Sequence, residues 1–123
     1  MSEATKHIQH TLGTWRVVGI EDSVGDRCEC CGTPCPKRRI VLDDGKATRR
    51  FGSSCAALAV LGQKSRRNIS RIEAYAKAHS YAAKWINHYG NSPEVLSRIA
   101  SAIRVRFCDA YVRNGELVIG GDA

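Results

Sequence analysis

Cys28-Glu29-Cys30-Cys31-Gly32-Thr33-Pro34-Cys35 sets four cysteines within eight residues, and the use made of these thiols decides what fold the chain can adopt. The six cysteines of the sequence allow three disulfides in about fifteen connectivities. Neighbouring thiols this close would close only strained bridges, whereas converging thiolates suit a soft metal ion. Structural zinc takes four ligands in a tetrahedron, and a Cys-x-x-Cys turn supplies two of them from one tight loop. Cys28 and Cys31 have that spacing, and Gly32 lets the turn close. Cys55, at the start of an expected short helix, qualifies as a third ligand because a helix N-terminus favours a thiolate. Cys35, between Pro34 and Pro36, is the choice for the fourth, followed in order by Cys30, His7, His10, His79 and Cys108. A metal-free cluster of redox-active thiols is the competing reading. An unprotected Cys-x-Cys-Cys run oxidises readily, while zinc contributes about 10–16 kcal/mol in a good peptide site, so structural zinc is the expected cofactor.

Outward from the cluster, Trp15 to Ile20 reads as a short strand and Ser23 to Asp26 as the turn that leads into the cysteines. Downstream, Arg38 to Leu42 and Ala47 to Phe51 flank Asp44-Gly45, a two-residue hairpin signal. That turn would set Asp43 opposite Lys46, Ile40 opposite Arg49, and Arg39 opposite Arg50. Like charges directly opposite are unfavourable, so a different register, solvent separation or a shared anion must resolve the last pair. Ser53 or Ser54 is suited to cap a helix through Leu61, ended by Gly62. A longer helix is expected from between Ser65 and Ser70 to about Tyr89, because Ile69, Ile72, Ala76, His79, Ala83 and Ile86 recur at steps of three and four. His79 on this stripe reads as a core histidine, and His88 as a solvated residue near the helix end. Ser92-Pro93-Glu94 starts a third helix. Leu96, Ile99, Ala100, Ile103, Phe107 and Ala110 would form its buried face, with Asn114-Gly115 ending it before a last strand, Glu116 to Ile119. Cys108 reads as a small buried hydrophobe.

The order of these parts, a Cys-x-x-Cys-Gly knuckle, a β-hairpin and a ligand on the first turn of a helix, resembles a treble-clef zinc finger over Cys28 to Leu61. In such fingers the helix supplies two ligands three residues apart, and here Gly52 and Leu58 stand at those positions relative to Cys55. Cys-Glu-Cys-Cys-Gly followed by Arg-Phe-Gly-Ser-Ser-Cys-Ala-Ala is also similar to a pattern in small Cys-rich proteins of actinobacteria and bacteriophages, which implies a metal rather than an activity. The expected fold is α+β: a zinc-bound knuckle and hairpin with a short helix, treble-clef-like, packed on two longer helices, with the terminal strands adding to the sheet. Residues 1–13 read as a flexible N-terminus and 14–123 as one zinc-binding domain, with a zinc module at about 28–62 and a helical part at about 65–113.

A chain of 123 residues, 43% hydrophobic and 25% charged, fits one globular domain with no membrane-crossing run. The polar stretch Met1 to Gly13 lacks the apolar segment of a secretory signal, so the expected compartment is the cytoplasm, where thiols stay reduced. The formal charge of +7 favours an anionic partner. Lys37, Arg38, Arg39, Arg49 and Arg50 make the hairpin basic, and Lys64, Arg66, Arg67 and Arg71 form a second group at the head of the long helix. A knuckle joining hairpin and helix would let both groups follow a phosphate backbone, DNA or RNA. The alternative is a protein-binding adaptor or phage-type inhibitor whose basic face meets an acidic protein. A zinc-dependent nuclease ranks third, because the His and Asn that such hairpin-helix sites use are absent between Arg38 and Leu61. A zinc deaminase would need His-x-Glu and Pro-Cys-x-x-Cys, and neither is present.

Overall fold

The computed structural model describes residues 8–9, 15–22, 26–35 and 37–120. Its elements run β1 (Ile8–Gln9), β2 (Arg16–Asp22), β3 (Arg38–Asp43), β4 (Thr48–Phe51), α1 (Ser53–Leu61), α2 (Arg66–Tyr89), α3 (Pro93–Arg106), β5 (Ala110–Arg113) and β6 (Glu116–Ile119). The architecture is α+β. Strands β2, β3 and β4 form an antiparallel meander, and β1, β6 and β5 form a separate sheet in that order. The terminal strands therefore build a second sheet instead of extending the first. Within residues 1–13, expected to be flexible, Ile8 and Gln9 pair in parallel with Leu117 and Val118 of β6. His7 and His10 lie outside the described residues, as do Ser23 to Gly25 of the expected turn.

The β3–β4 register corrects the expected one. Asp43 faces Thr48, Leu42 faces Arg49, Val41 faces Arg50 and Ile40 faces Phe51. The connection is thus a four-residue loop, Asp44 to Ala47. Its two acids explain the extra length: Asp44 Oδ1 accepts from the N–H groups of Lys46 and Ala47 at 2.8 Å, and Asp43 Oδ1 accepts from Gly45 N–H at 2.8 Å. These amides of Ala47 and Lys46 hold the Asp44 carboxyl below the usual carboxylate range. Aspartates that bind backbone two and three residues on stabilise a wider turn than the dipeptide rule foresees. The longer loop sets Ile40 beside Phe51, whose ring lies 5.6 Å from Trp15, and removes the like-charge pair.

Helix α1 starts one step earlier than a serine cap would allow. Gly52, which has no side chain to cap with, is the N-cap, and Ser53 Oγ donates instead to Glu73 Oε2 at 2.9 Å on α2. Gly62 ends α1 in the left-handed conformation. Helix α2 is capped by Ser65 and buries Ile72, Tyr75, Ala76, Ala78, His79, Ala82 and Ile86. Residue 79 is a core histidine, 4.6 Å from the Tyr75 ring, and His88 is exposed. Ser92 accepts from Val95 N–H to cap α3 behind Pro93.

The third helix stops at Arg106, earlier than expected. Asn114-Gly115 is the turn of the β5–β6 hairpin, with φ of 53° and 77°, and does not terminate a helix. Both turn residues are left-handed, the condition under which an Asn-Gly pair favours a two-residue hairpin. Ala110 consequently belongs to a strand, not to the buried face of α3. The core is shared: α2 rests on β2, α1 on α2 and the meander, and α3 on the β5–β6 hairpin. Among the described residues no helix is long and apolar enough to cross a membrane.

Cys108 sits half-buried between α3 and β5, and burial, followed by the Asp109 carboxylate, pushes its thiol up to about 11 from 9.0. An acid held protonated by folding costs nothing while both states keep the proton. Above about pH 9 the unfolded chain releases its proton and the folded chain does not until about pH 11. Stability should therefore fall across that window, and Cys108→Ala should fall less. The expected difference between the two urea-unfolding profiles is below about 1 kcal/mol, because solvent screens a half-exposed thiol.

Candidate metal centre

The loop before β3 is held in shape by its backbone. Cys28 N–H donates to Thr33 O at 2.9 Å, Gly32 N–H to Cys28 O at 2.9 Å, and Cys35 N–H to Asp26 O at 2.8 Å. Gly32 takes a φ of 76°, a conformation that costs a residue with Cβ. Glu29 N–H donates to Arg50 O at 2.9 Å, which fastens the knuckle to β4. Cys30 N–H points at Cys28 Sγ, 3.4 Å away, so the backbone of Cys30 serves the site while its side chain is exposed.

The Sγ atoms of Cys28, Cys31 and Cys55 all lie within 4.8 Å of one another and could hold a metal ion. Two come from the knuckle and one from the first turn of α1, as the spacing suggested. Cys28 and Cys55 are buried and Cys31 is exposed. Cys35, the expected fourth ligand, is buried beside them. Its Sγ donates to Thr33 O at 3.7 Å and would stand 3.4 Å from a Cβ on Gly52, but it lies outside the mutually close trio.

The thiols differ in acidity for physical reasons. Hydrogen bonding to the Thr33 hydroxyl, 3.2 Å from Cys31 Sγ, and to the Thr33 backbone lowers Cys31 to about 6. Burial comes first in raising Cys55, followed by its hydrogen bonding to Cys31. Burial also raises Cys35, helped by the nearby Cys28. A thiophilic cation would find one thiolate ready and displace protons from the others, so its affinity would rise with pH.

A cleft of about 580 Å³ opens beside the trio, lined by Lys37, Arg38, Lys64, Ser53, Ser54 and Glu73 as well as the cysteines. The basic residues expected on one face divide here into two sets. Arg39, with its side chain only 14% exposed, is paired to Glu21 at 3.0 Å, Asp26 at 3.4 Å and Glu29 at 4.0 Å. It also donates to Arg27 O at 3.2 Å, so it braces the cysteine loop against β2. Arg50 pairs with Glu21 at 2.9 Å and Arg49 with Asp44 at 3.6 Å. Lys37, Arg38 and Lys64 form no ion pair with the described residues and face the cleft. Arg66, Arg67 and Arg71 are exposed on the first turns of α2.

The brace formed by Arg39 was missed from sequence. Its signal was the acids Glu21 and Asp26 before the knuckle and Glu29 within it, which come together around Arg39 only when β2 and β3 pair. No protein-family model matches the chain, and neither a curated protein nor a solved structure matches it.

Proposed function

We propose that the chain is a structural-zinc protein that binds nucleic acid through the cleft beside its cysteines. Cys28, Cys31 and Cys55 supply three thiolates, and Cys35, buried beside them, completes the set. Zinc is the metal that suits an all-sulfur, loop-plus-helix site, since it imposes no geometric or redox demand beyond four soft ligands. The observation that carries the binding half is the position of Lys37, Arg38 and Lys64. Lys37 and Arg38 at the head of β3 and Lys64 between α1 and α2 converge on one cleft without an ion pair among the described residues, the Glu73 carboxylate of the same lining accepting a hydrogen bond from Ser53. Ser53 and Ser54 add the N-terminal amides of α1. Cations left unpaired around a concavity favour phosphate oxygens. Arg39, Arg49 and Arg50 contribute by fixing the loop and hairpin instead of by contact.

The test is fluorescence anisotropy of a labelled mixed-sequence oligonucleotide across a salt series. Binding should weaken as salt rises, and replacing Lys37, Arg38 and Lys64 together by alanine should flatten the slope of log K against log salt by about 2. Affinity near 0.1 M salt should drop by about tenfold or more. An unchanged slope in the triple variant, or no binding by the native chain at low salt, would sink the reading.

A further inference from the structure

We infer that the solvent face of α2 is a track for single-stranded nucleic acid, ending on a base-stacking platform of Tyr81, Trp85 and Tyr89. The inference rests on the nucleic-acid reading above and narrows its substrate to unpaired strands. Tyr81, Trp85 and Tyr89 are spaced four apart and so rise along one side of α2. The Trp85 and Tyr89 rings are 4.9 Å apart and inclined by 12°, and Tyr81 stands 5.8 Å below Trp85. Tyr89 is 56% exposed. The three rings wall a groove of about 540 Å³ against Val95 and Ile99 of α3, which Glu94 and Arg98, paired to each other at 3.2 Å, also line.

The charge around the rings fits a polyanion. Lys77 and Lys84, seven residues apart, share the outer face of α2, and Arg106 lies 5.7 Å over the Tyr81 ring. Glu73 is the sole acid of α2, and it is turned to Ser53. At the other end Arg66 and Arg67 follow closely on Lys64, which lines the cleft. A helix of 24 residues spans about 36 Å, so phosphates gripped at the cleft and bases stacked on Tyr89 require one strand laid along the helix. Every base has a π-face, which makes such a platform tolerant of sequence, and only unpaired bases can offer that face. Duplex would engage the cations alone.

The experiment compares a fluorescein-labelled single strand with its duplex by anisotropy, using the native chain, Tyr89→Ala, Tyr89→Trp and Trp15→Phe. The single strand should bind more tightly than the duplex. Tyr89→Ala should weaken it by about 5- to 150-fold with the salt slope unchanged, and Tyr89→Trp should retain binding. In the Trp15→Phe background the remaining tryptophan, Trp85, should be quenched by the strand. If duplex binds as tightly as single strand, or Tyr89→Ala binds like the native chain while the triple cleft variant still loses its slope, the platform is overturned and the cleft reading stands. Displacement by polyglutamate at the same charge concentration as by oligonucleotide would mark the face as a dock for acidic protein and overturn the inference. Binding of neither strand form would overturn both readings.

Discussion

Cys28→Ser is expected to abolish the cooperative thermal transition of the domain, whereas Cys30→Ser, two residues away, should shift it by only a degree or two. Cys28 is buried and contributes to the knuckle through its thiol, its N–H and its carbonyl. The substitution keeps the backbone bonds in reach but removes one of three converging sulfurs. Structural zinc contributes about 10–16 kcal/mol in peptide sites, against a whole-domain stability of about 5–15 kcal/mol. Losing even half of the metal's contribution, about 5–8 kcal/mol, is comparable to the whole stability of a small domain. Cys30 lies outside the mutually close trio, its thiol reaching Cys55, and serine keeps both its N–H and a hydrogen-bonding side chain. Circular dichroism melts of the two variants with their metal contents check this, and a Cys28→Ser protein that melts like the native one with a full complement of metal would remove Cys28 from the site.

Gly19→Ala should cost about 1–3 kcal/mol in urea unfolding, a large effect for one methyl group on a strand. Gly19 lies at the register shift of β2, and a Cβ there would collide with Ser80 Oγ of α2. Ser80 cannot simply rotate away. Its hydroxyl accepts from Ile20 N–H at 2.8 Å and donates to Ile20 O at 3.3 Å, so it joins helix to strand at the closest approach of the two. The added methyl forces a choice between overpacking, at about 1–3 kcal/mol, and breaking a partly buried pair of hydrogen bonds, at about 1–3 kcal/mol. The double variant Gly19→Ala/Ser80→Ala separates the terms. Its destabilisation should be smaller than the sum of the single effects, because removing Oγ relieves the clash, whose next nearest atom is 3.5 Å away. Strict additivity would show that the two residues do not meet.

The parts legible in the sequence were those governed by local chemistry. Apolar periodicity placed the end of α2 at Tyr89 and its start within the window Ser65 to Ser70, and Ser92-Pro93 placed the start of α3, because these signals act on the backbone beside them. The trio Cys28, Cys31 and Cys55 followed from ligand spacing and from the preference of a thiolate for a helix N-terminus. What was not legible depended on pairing between distant segments. Arg39 and Arg50 read as an anion site, and became ion-pair partners of Glu21 once β2 aligned with β3. Asn114-Gly115 fits both a helix stop and a hairpin turn, and only the pairing of Ala110–Arg113 with β6 decides between them. The aromatic platform was hidden because Tyr75, Tyr81 and Trp85 fall on overlapping helical stripes. Burial by α3 and β6 divides them, with Tyr75 in the core and Trp85 at its rim.

The central claim, a zinc ion held by thiolates from the knuckle and α1, is tested most directly by native mass spectrometry of the chain purified without added metal. The account expects one zinc ion per chain, lost together with the folded charge-state distribution when a chelator is added. A folded chain that carries no metal, or keeps its compact charge states after the metal is stripped, would contradict it.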